Sequence, residues 1–223
     1  MSTIKIILTE DGSHSLLNEE MDETYHSRHG AVQESEYVFI DKGLNFLKVR
    51  DNPDLISILE VGFGTGLNAW LSLQRAVEHK TQIRYHTLET FPLQEEIWKS
   101  LNYYSDPEGA EQFRKLHAAP WQVWSEINSS FMVYKENKSL QSVSLIPSNF
   151  DLIYFDAFAP NKQPEMWEMP VLEKVVTAMK ISSVFVTYCA KGQLKRDLKS
   201  LGLEVESLPG PPGKREMVRA IKI

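Results

Sequence analysis

Three glycines at alternate positions, Gly62-Phe63-Gly64-Thr65-Gly66, follow directly on the apolar run Ile56-Ser-Ile-Leu-Glu-Val. Glycine permits a tight turn and lets the backbone approach a ligand closely, so such a loop between a strand and a helix is expected to cradle a nucleotide-like molecule. The plainer alternative is a turn that only packs the strand against the helix. Two carboxylates flank the loop. Glu60 lies two residues before the first glycine, where it would favour a cationic amino-acid moiety and repel a pyrophosphate. Glu89, 23 residues beyond Gly66 at the end of the next strand-like run, is placed to accept hydrogen bonds from both ribose hydroxyls, or else to favour the start of a following helix. Of the two ligands served by such loops, a dinucleotide and S-adenosylmethionine, Glu60 selects S-adenosylmethionine. Asn68 either donates to the ligand's carboxylate or caps the turn.

A second group begins with Asp156, at the end of Asp151-Leu-Ile-Tyr-Phe-Asp, and continues through Phe158 to Trp167. Methyl transfer from a sulfonium is an in-line displacement that needs a neutral nucleophile held close to the methyl carbon. A carboxylate at Asp156 can orient an amine by accepting its N–H bonds. An unperturbed aspartate pKa of about 3.9 makes it a weak base near neutrality, so orientation is the expected role, with turn capping as the alternative. Phe158 and Trp167 offer flat faces for a base, although Trp167 equally fits a helix core beside Met166, Val171 and Leu172. Toward the carboxyl end, Lys191, Lys195 and Lys199 form a solvated stripe beside Arg196, and Pro209-Gly-Pro-Pro-Gly-Lys214-Arg215 ends in two cations. With Arg219 these are expected to make a local basic patch for a polyanion. His26 and His29 stand without a matching ligand cluster, so no metal is expected.

The elements that must position these residues alternate. Strands are expected at Ile56–Val61, Ile83–Glu89, Phe131–Tyr134, Phe150–Asp156 and Val184–Tyr188, with helices at Leu67–Glu78, Leu93–Leu101, near Met166–Met179 and near Lys191–Leu201, and a last strand from Glu216. That alternation implies an α/β, doubly wound, mostly parallel sheet with helices on both faces. Before it, Lys5-Ile-Ile-Leu and Tyr37-Val-Phe-Ile read as strands and Leu44-Asn-Phe-Leu opens a short helix, giving a β-rich extension over residues 1–50 packed on a main domain over 51–223. The composition is ordinary for a globular chain, at 24% charged and 42% hydrophobic over 223 residues. No apolar run is long enough to span a bilayer, and the start turns polar at Thr9 before a signal core could form, so the expected location is the cytoplasm. A net charge of −6 argues against binding nucleic acid through global charge but leaves local patches free to do so. The single cysteine, Cys189, reads as a buried inert thiol.

Several motifs together resemble the tRNA wobble-uridine methyltransferases that complete the 5-methylaminomethyl group, the MnmC amino-terminal domains and stand-alone MnmD proteins. They are Tyr25-His-Ser-Arg-His-Gly-Ala with Glu34, the Glu60–Asn68 loop, Leu88-Glu-Thr-Phe-Pro, Asp156-Ala-Phe-Ala-Pro-Asn-Lys-Gln-Pro-Glu-Met-Trp, Thr187-Tyr-Cys-Ala-Lys-Gly and Pro209-Gly-Pro-Pro-Gly-Lys-Arg-Glu-Met. The resemblance implies a class I, Rossmann-like enzyme that uses S-adenosylmethionine to methylate 5-aminomethyl-2-thiouridine in tRNA, without flavin or metal. It matches Asp156 to an acid acting at the acceptor amine, the glycine loop and Glu89 to the donor site, and Glu136 loosely to an adenine-side acid. The target base is expected to leave the anticodon stack and enter a pocket between Tyr25, Phe158 and Trp167. Many members carry an oxidase domain that prepares the aminomethyl group; this sequence resembles the stand-alone form, whose precursor would come from functionally coupled enzymes. Aminopropyl transfer or small-amine methylation on the same fold, and a non-catalytic binding module, are the alternatives. An NAD-dependent dehydrogenase is disfavoured by Glu60.

Overall fold

A computed structural model describes the chain from residue 4 to residue 223. Met1, Ser2 and Thr3, part of the chain start read above, lie outside the described residues. A small antiparallel sheet comes first: β1 (Ile4–Leu8), β2 (His14–Asn18) and β3 (Glu23–Thr24). A continuous helix follows, made of α1 (Ala31–Ser35), a π-wound stretch Glu36–Asn45 and α2 (Phe46–Asp51), and it ends where Asn52 turns left-handed.

The π-wound stretch overturns the strand expected at Tyr37–Ile40, and the extension is half helical rather than β-rich throughout. A short apolar run with β-favouring residues cannot be told from a buried helix by periodicity. Here tertiary packing decides. Val38, Phe39 and Ile40 are fully enclosed, and Gly43 lets the helix ride close to the large sheet. A Cβ there would lie 3.1 Å from Val186 and 3.3 Å from Tyr154.

The main alternation then runs β4 (Leu55–Val61), α3 (Leu67–Glu78), β5 (Gln82–Leu88), α4 (Glu95–Trp98), α5 (Pro107–Ala118), β6 (Ser125–Asn128), β7 (Phe131–Glu136), β8 (Phe150–Phe155), a 3-10 turn (Pro164–Trp167), α6 (Met169–Ala178), β9 (Met179–Thr187), α7 (Gly192–Ser200), β10 (Leu203–Pro209) and β11 (Glu216–Lys222). These strands form one eight-stranded sheet in the order β10-β11-β9-β8-β4-β5-β7-β6. The five from β9 to β7 are parallel neighbours. β11 runs antiparallel to β9 and β10, and β6 antiparallel to β7. The expected α/β class is therefore present, with antiparallel edges.

Both faces of the central strands are buried, which is why they read as unbroken apolar runs. Ile58, Tyr154, Val184 and Val186 face a core shared with the 31–51 helix, α3 and α5. Leu59, Phe155 and Phe185 face the opposite core with α6 and α7. α5 escaped the sequence reading, although Asp106 caps it by accepting from Gly109 N at 2.9 Å and Pro107 opens its first turn. β10 escaped it because its charged positions, Glu204 and Glu206, suggest loop, and only edge pairing with β11 makes it a strand. From β4 the chain moves to β5 and β7 on one side, and then returns to β8 and β9 on the other. The crevice beyond the carboxyl ends of β4 and β8 is the reversal point where ligands bind in open α/β sheets.

Candidate active site

The reversal point brings the two sequence groups together. Asp156 N donates to Val61 O at 3.0 Å, so the glycine loop after β4 and the Asp156 segment after β8 leave the sheet side by side. Gly62 makes this possible: its φ is +94°, and a Cβ would meet Asp156 O at 2.6 Å. Gly62 N and Phe63 N both donate to Leu88 O at 3.1 Å. Glu89 then secures the loop, accepting from Gly64 N at 2.9 Å through one oxygen and from Phe91 N at 2.8 Å through the other.

Above this junction lies a cavity of about 1340 Å³. Its floor is the glycine loop with Asn68. Its walls are Glu89 to Leu93, the 138–141 segment, and Asp156 to Ala159 with Met166. The N-terminal extension closes it through Tyr25, His26 and Glu34, and Tyr188 and Lys214 complete the rim. One small-molecule site occupies roughly 300–1,000 Å³, so there is room for two ligands to meet.

Asp156 accepts from Asn68 Nδ2 at 2.8 Å. Burial, reinforced by the nearby Glu34 and partly offset by Asn68 and Lys214, pushes its carboxyl up to about 7. Glu34 was noticed in the sequence only as part of a motif, because nothing in its spacing connects it with Asp156. It accepts from Ser27 N at 2.8 Å and from Lys214 Nζ at 2.5 Å. Lys214 lies 3.7 Å over the Tyr188 ring, and the Tyr188 hydroxyl donates to Ala157 O at 2.8 Å.

Glu60 is completely buried beneath the loop rather than on the cavity wall. One oxygen accepts from the Thr87 hydroxyl at 2.7 Å. The other has no partner, and neither do Asn68 Oδ1 and the Tyr85 hydroxyl. Burial pushes Glu60 up to about 8 against the Thr87 hydrogen bond. Glu60 therefore supports the loop from below and makes no part of the cavity wall.

Other expected site residues are placed differently. Glu136 does not line the cavity. Its carboxylate is taken by His86 at 3.0 Å and Lys138 at 2.8 Å, and the residues just beyond it, Lys138 to Gln141, form the wall instead. Trp167 is core: it packs edge-on against Phe155 at 4.9 Å, and its Nε1 donates to Phe158 O at 2.8 Å. It supports Phe158 from behind and offers no face to the cavity. Phe158 and Tyr25 do line the cavity, their rings edge to face at 5.2 Å. Burial, reinforced by Glu89, pushes the Tyr25 phenol up to about 12, so it is neutral.

Of the basic patch, Lys214 is turned inward to Glu34, Lys195 pairs with Glu216 at 2.6 Å, and Arg219 pairs with Glu206 at 2.6 Å while lying 3.6 Å from the centre of the Phe46 ring. Lys191 and Arg215 form no ion pair among the described residues and line a groove of about 560 Å³ that shares Ala159, Tyr188 and Lys214 with the main cavity. His26 and His29 do not converge: His26 meets Thr65, and His29 meets Glu10.

A family model described as S-adenosyl-L-methionine-dependent methyltransferase matches residues 113–223. A Leptospira interrogans protein named tRNA 5-methylaminomethyl-2-thiouridine biosynthesis bifunctional protein MnmC is 30% identical over 95% of this chain and 34% of its own length. The Nitrosospira multiformis protein of that name is 27% identical over 88% of this chain and 34% of its own. The chain thus spans about a third of these relatives. The crystal structure of MNMC2 from Aquifex aeolicus superposes with a TM-score of 0.82 at 26% identity, covering 99% of this chain and 70% of that one.

Proposed function

The chain belongs to the S-adenosyl-L-methionine-dependent methyltransferases of the MnmC family, and from that premise we propose that it methylates the amino group of 5-aminomethyl-2-thiouridine at the wobble position of tRNA. The observation that carries this reading is the junction of the glycine loop with Asp156 at one wall of a cavity large enough for donor and acceptor together. The residues fit the donor. Six acidic residues, Glu20, Glu23, Glu34, Glu89, Asp156 and Glu165, line the cavity against Lys138 and Lys214, and the buried Asn68 Oδ1 there lacks a partner. An acidic, partly apolar enclosure suits a sulfonium and an α-amino group.

The donor supplies an electrophilic methyl group. Asp156 accepts the acceptor amine's N–H bonds, directs its lone pair and holds the proton lost on transfer. Asn68 fixes the carboxylate through its 2.8 Å hydrogen bond. A carboxyl raised to about 7 is a far better base near neutrality than an unperturbed aspartate. Phe158 and Tyr25 provide the apolar faces for the extruded base and exclude water. Among the described residues no helix is long and apolar enough to cross a membrane.

Donor binding should release protons. Glu60 and Asp156 are raised above their ordinary values, so the neutral acids are partly populated near pH 7.5, and a bound cation favours the ionised forms. Calorimetry in two buffers of different ionisation heat is expected to give net release between about pH 6.5 and 8, reduced in Glu60→Gln. Buffer-independent heats would show that neither carboxyl senses the donor.

Lys191 and Arg215 mark the phosphate path into the cavity. Replacing both with Ala should weaken tRNA binding and flatten its log–log salt dependence by about one to two, with donor affinity kept. An unchanged slope would put the phosphate contacts elsewhere. The acceptor class is tested by incubating labelled donor with either tRNA lacking the final wobble methyl group or a polyamine. Label in tRNA supports the reading, and label only in the polyamine refutes it.

A further inference from the structure

Thr65, at the centre of the glycine loop, is gripped from two sides by histidines that the mechanism leaves without a role. His26, on the N-terminal extension, places Nε2 2.8 Å from Thr65 Oγ1. His117, near the end of α5, places Nε2 3.0 Å from Thr65 O. A carbonyl only accepts, so His117 Nε2 carries the hydrogen.

Neither ring is free to move away. His26 is 8% exposed, and its backbone N donates to Ser15 Oγ at 3.1 Å, tying it to β2. His117 is stacked on Trp98 at 4.9 Å and bounded by Phe113 at 4.7 Å and Phe63 at 5.2 Å. Its backbone carbonyl accepts from the buried Lys135 Nζ at 2.5 Å. Gly66 leaves room for the ring: a Cβ there would lie 2.7 Å from His117 Nε2. Burial lowers His26 to about 4 and His117 to about 3, so both act as neutral hydrogen-bonding groups.

We propose that His26 and His117 are positioning residues that preorganise the donor loop by holding Thr65 through its hydroxyl and its carbonyl. The small N-terminal sheet would then be part of the donor site, because it supplies one of the two grips. A loop ordered before binding spares the donor the cost of ordering it. The proposal rests on reading the glycine loop as the donor site.

The test is calorimetric titration of S-adenosylmethionine into wild-type protein and variants, with KM values for donor and tRNA measured alongside. Each of His26→Leu and His117→Leu is expected to raise the donor Kd about three- to tenfold, and to raise KM for the donor without changing KM for tRNA. His117→Gln, whose amide can donate from a similar position, should restore most of the affinity. Thr65→Val, which keeps the carbonyl, should match His26→Leu, be non-additive with it and additive with His117→Leu. Wild-type affinity in both Leu variants, a His117→Gln as weak as His117→Leu, or full additivity of Thr65→Val with His26→Leu would overturn the clamp. Failure of the wild-type protein to bind S-adenosylmethionine would instead refute the donor-site reading on which it stands.

Discussion

Asp156→Asn is expected to lower turnover by about 100-fold or more while leaving the donor Kd within roughly threefold of wild type. The loss is the order that removing a positioned acid or base produces. Asparagine keeps the size of the side chain and one carbonyl oxygen for Asn68, so the 2.8 Å contact with Nδ2 can persist. What disappears is the acceptor of the amine's N–H bonds and of the proton. Aspartate raised to about 7 should also give kcat/KM an acid limb near neutrality, lying below 7 where the bound donor favours the carboxylate, and the variant should lack it. Normal turnover in Asp156→Asn with normal donor binding would remove Asp156 from the chemistry.

Gly62→Ala should be nearly as damaging by a different route, reducing both donor affinity and turnover by on the order of 100-fold, about 3 kcal/mol. The added Cβ would sit 2.6 Å from Asp156 O, and the residue would keep a φ of +94° that L side chains rarely adopt. Relief requires the glycine loop and the Asp156 segment to part, which separates donor from acceptor. Gly12→Ala is the matched control: φ is +81° there too, but nothing lies within 4 Å of the new Cβ. It should lose only the backbone strain, roughly 1–2 kcal/mol of stability, with donor affinity unchanged. Equal effects of the two substitutions on donor affinity would mean that the contact with Asp156 is unimportant.

The glycine-loop wall of the cavity was legible because it is local. A strand, a glycine loop and α3 follow one another in sequence, so Gly62 to Asn68 and Glu89 could be located from spacing alone. Asp156 was legible because it ends a β strand, and strand ends meet ligands in this architecture. What escaped is what depends on long-range packing. Glu34 reaches the cavity only because the 31–51 helix crosses the sheet, and that helix was misread where Tyr37–Ile40 resembled a strand. Lys214 looked like a surface cation because its partner is 180 residues away. Glu136 was plausible by type and is committed to an interior partner, His86, that no periodicity reveals, whereas for Trp167 the structure takes the core alternative, against Phe155. Glu60 was expected beside the cationic part of a ligand, yet its oxygen meets Thr87 from the neighbouring strand rather than the cavity.

The most direct test of the central claim is nucleoside analysis of tRNA lacking the final wobble methyl group, after incubation with this protein and labelled S-adenosylmethionine. Conversion of 5-aminomethyl-2-thiouridine to labelled 5-methylaminomethyl-2-thiouridine, absent with Asp156→Asn, is the predicted result. A protein that binds the donor but leaves 5-aminomethyl-2-thiouridine unmethylated would contradict the account.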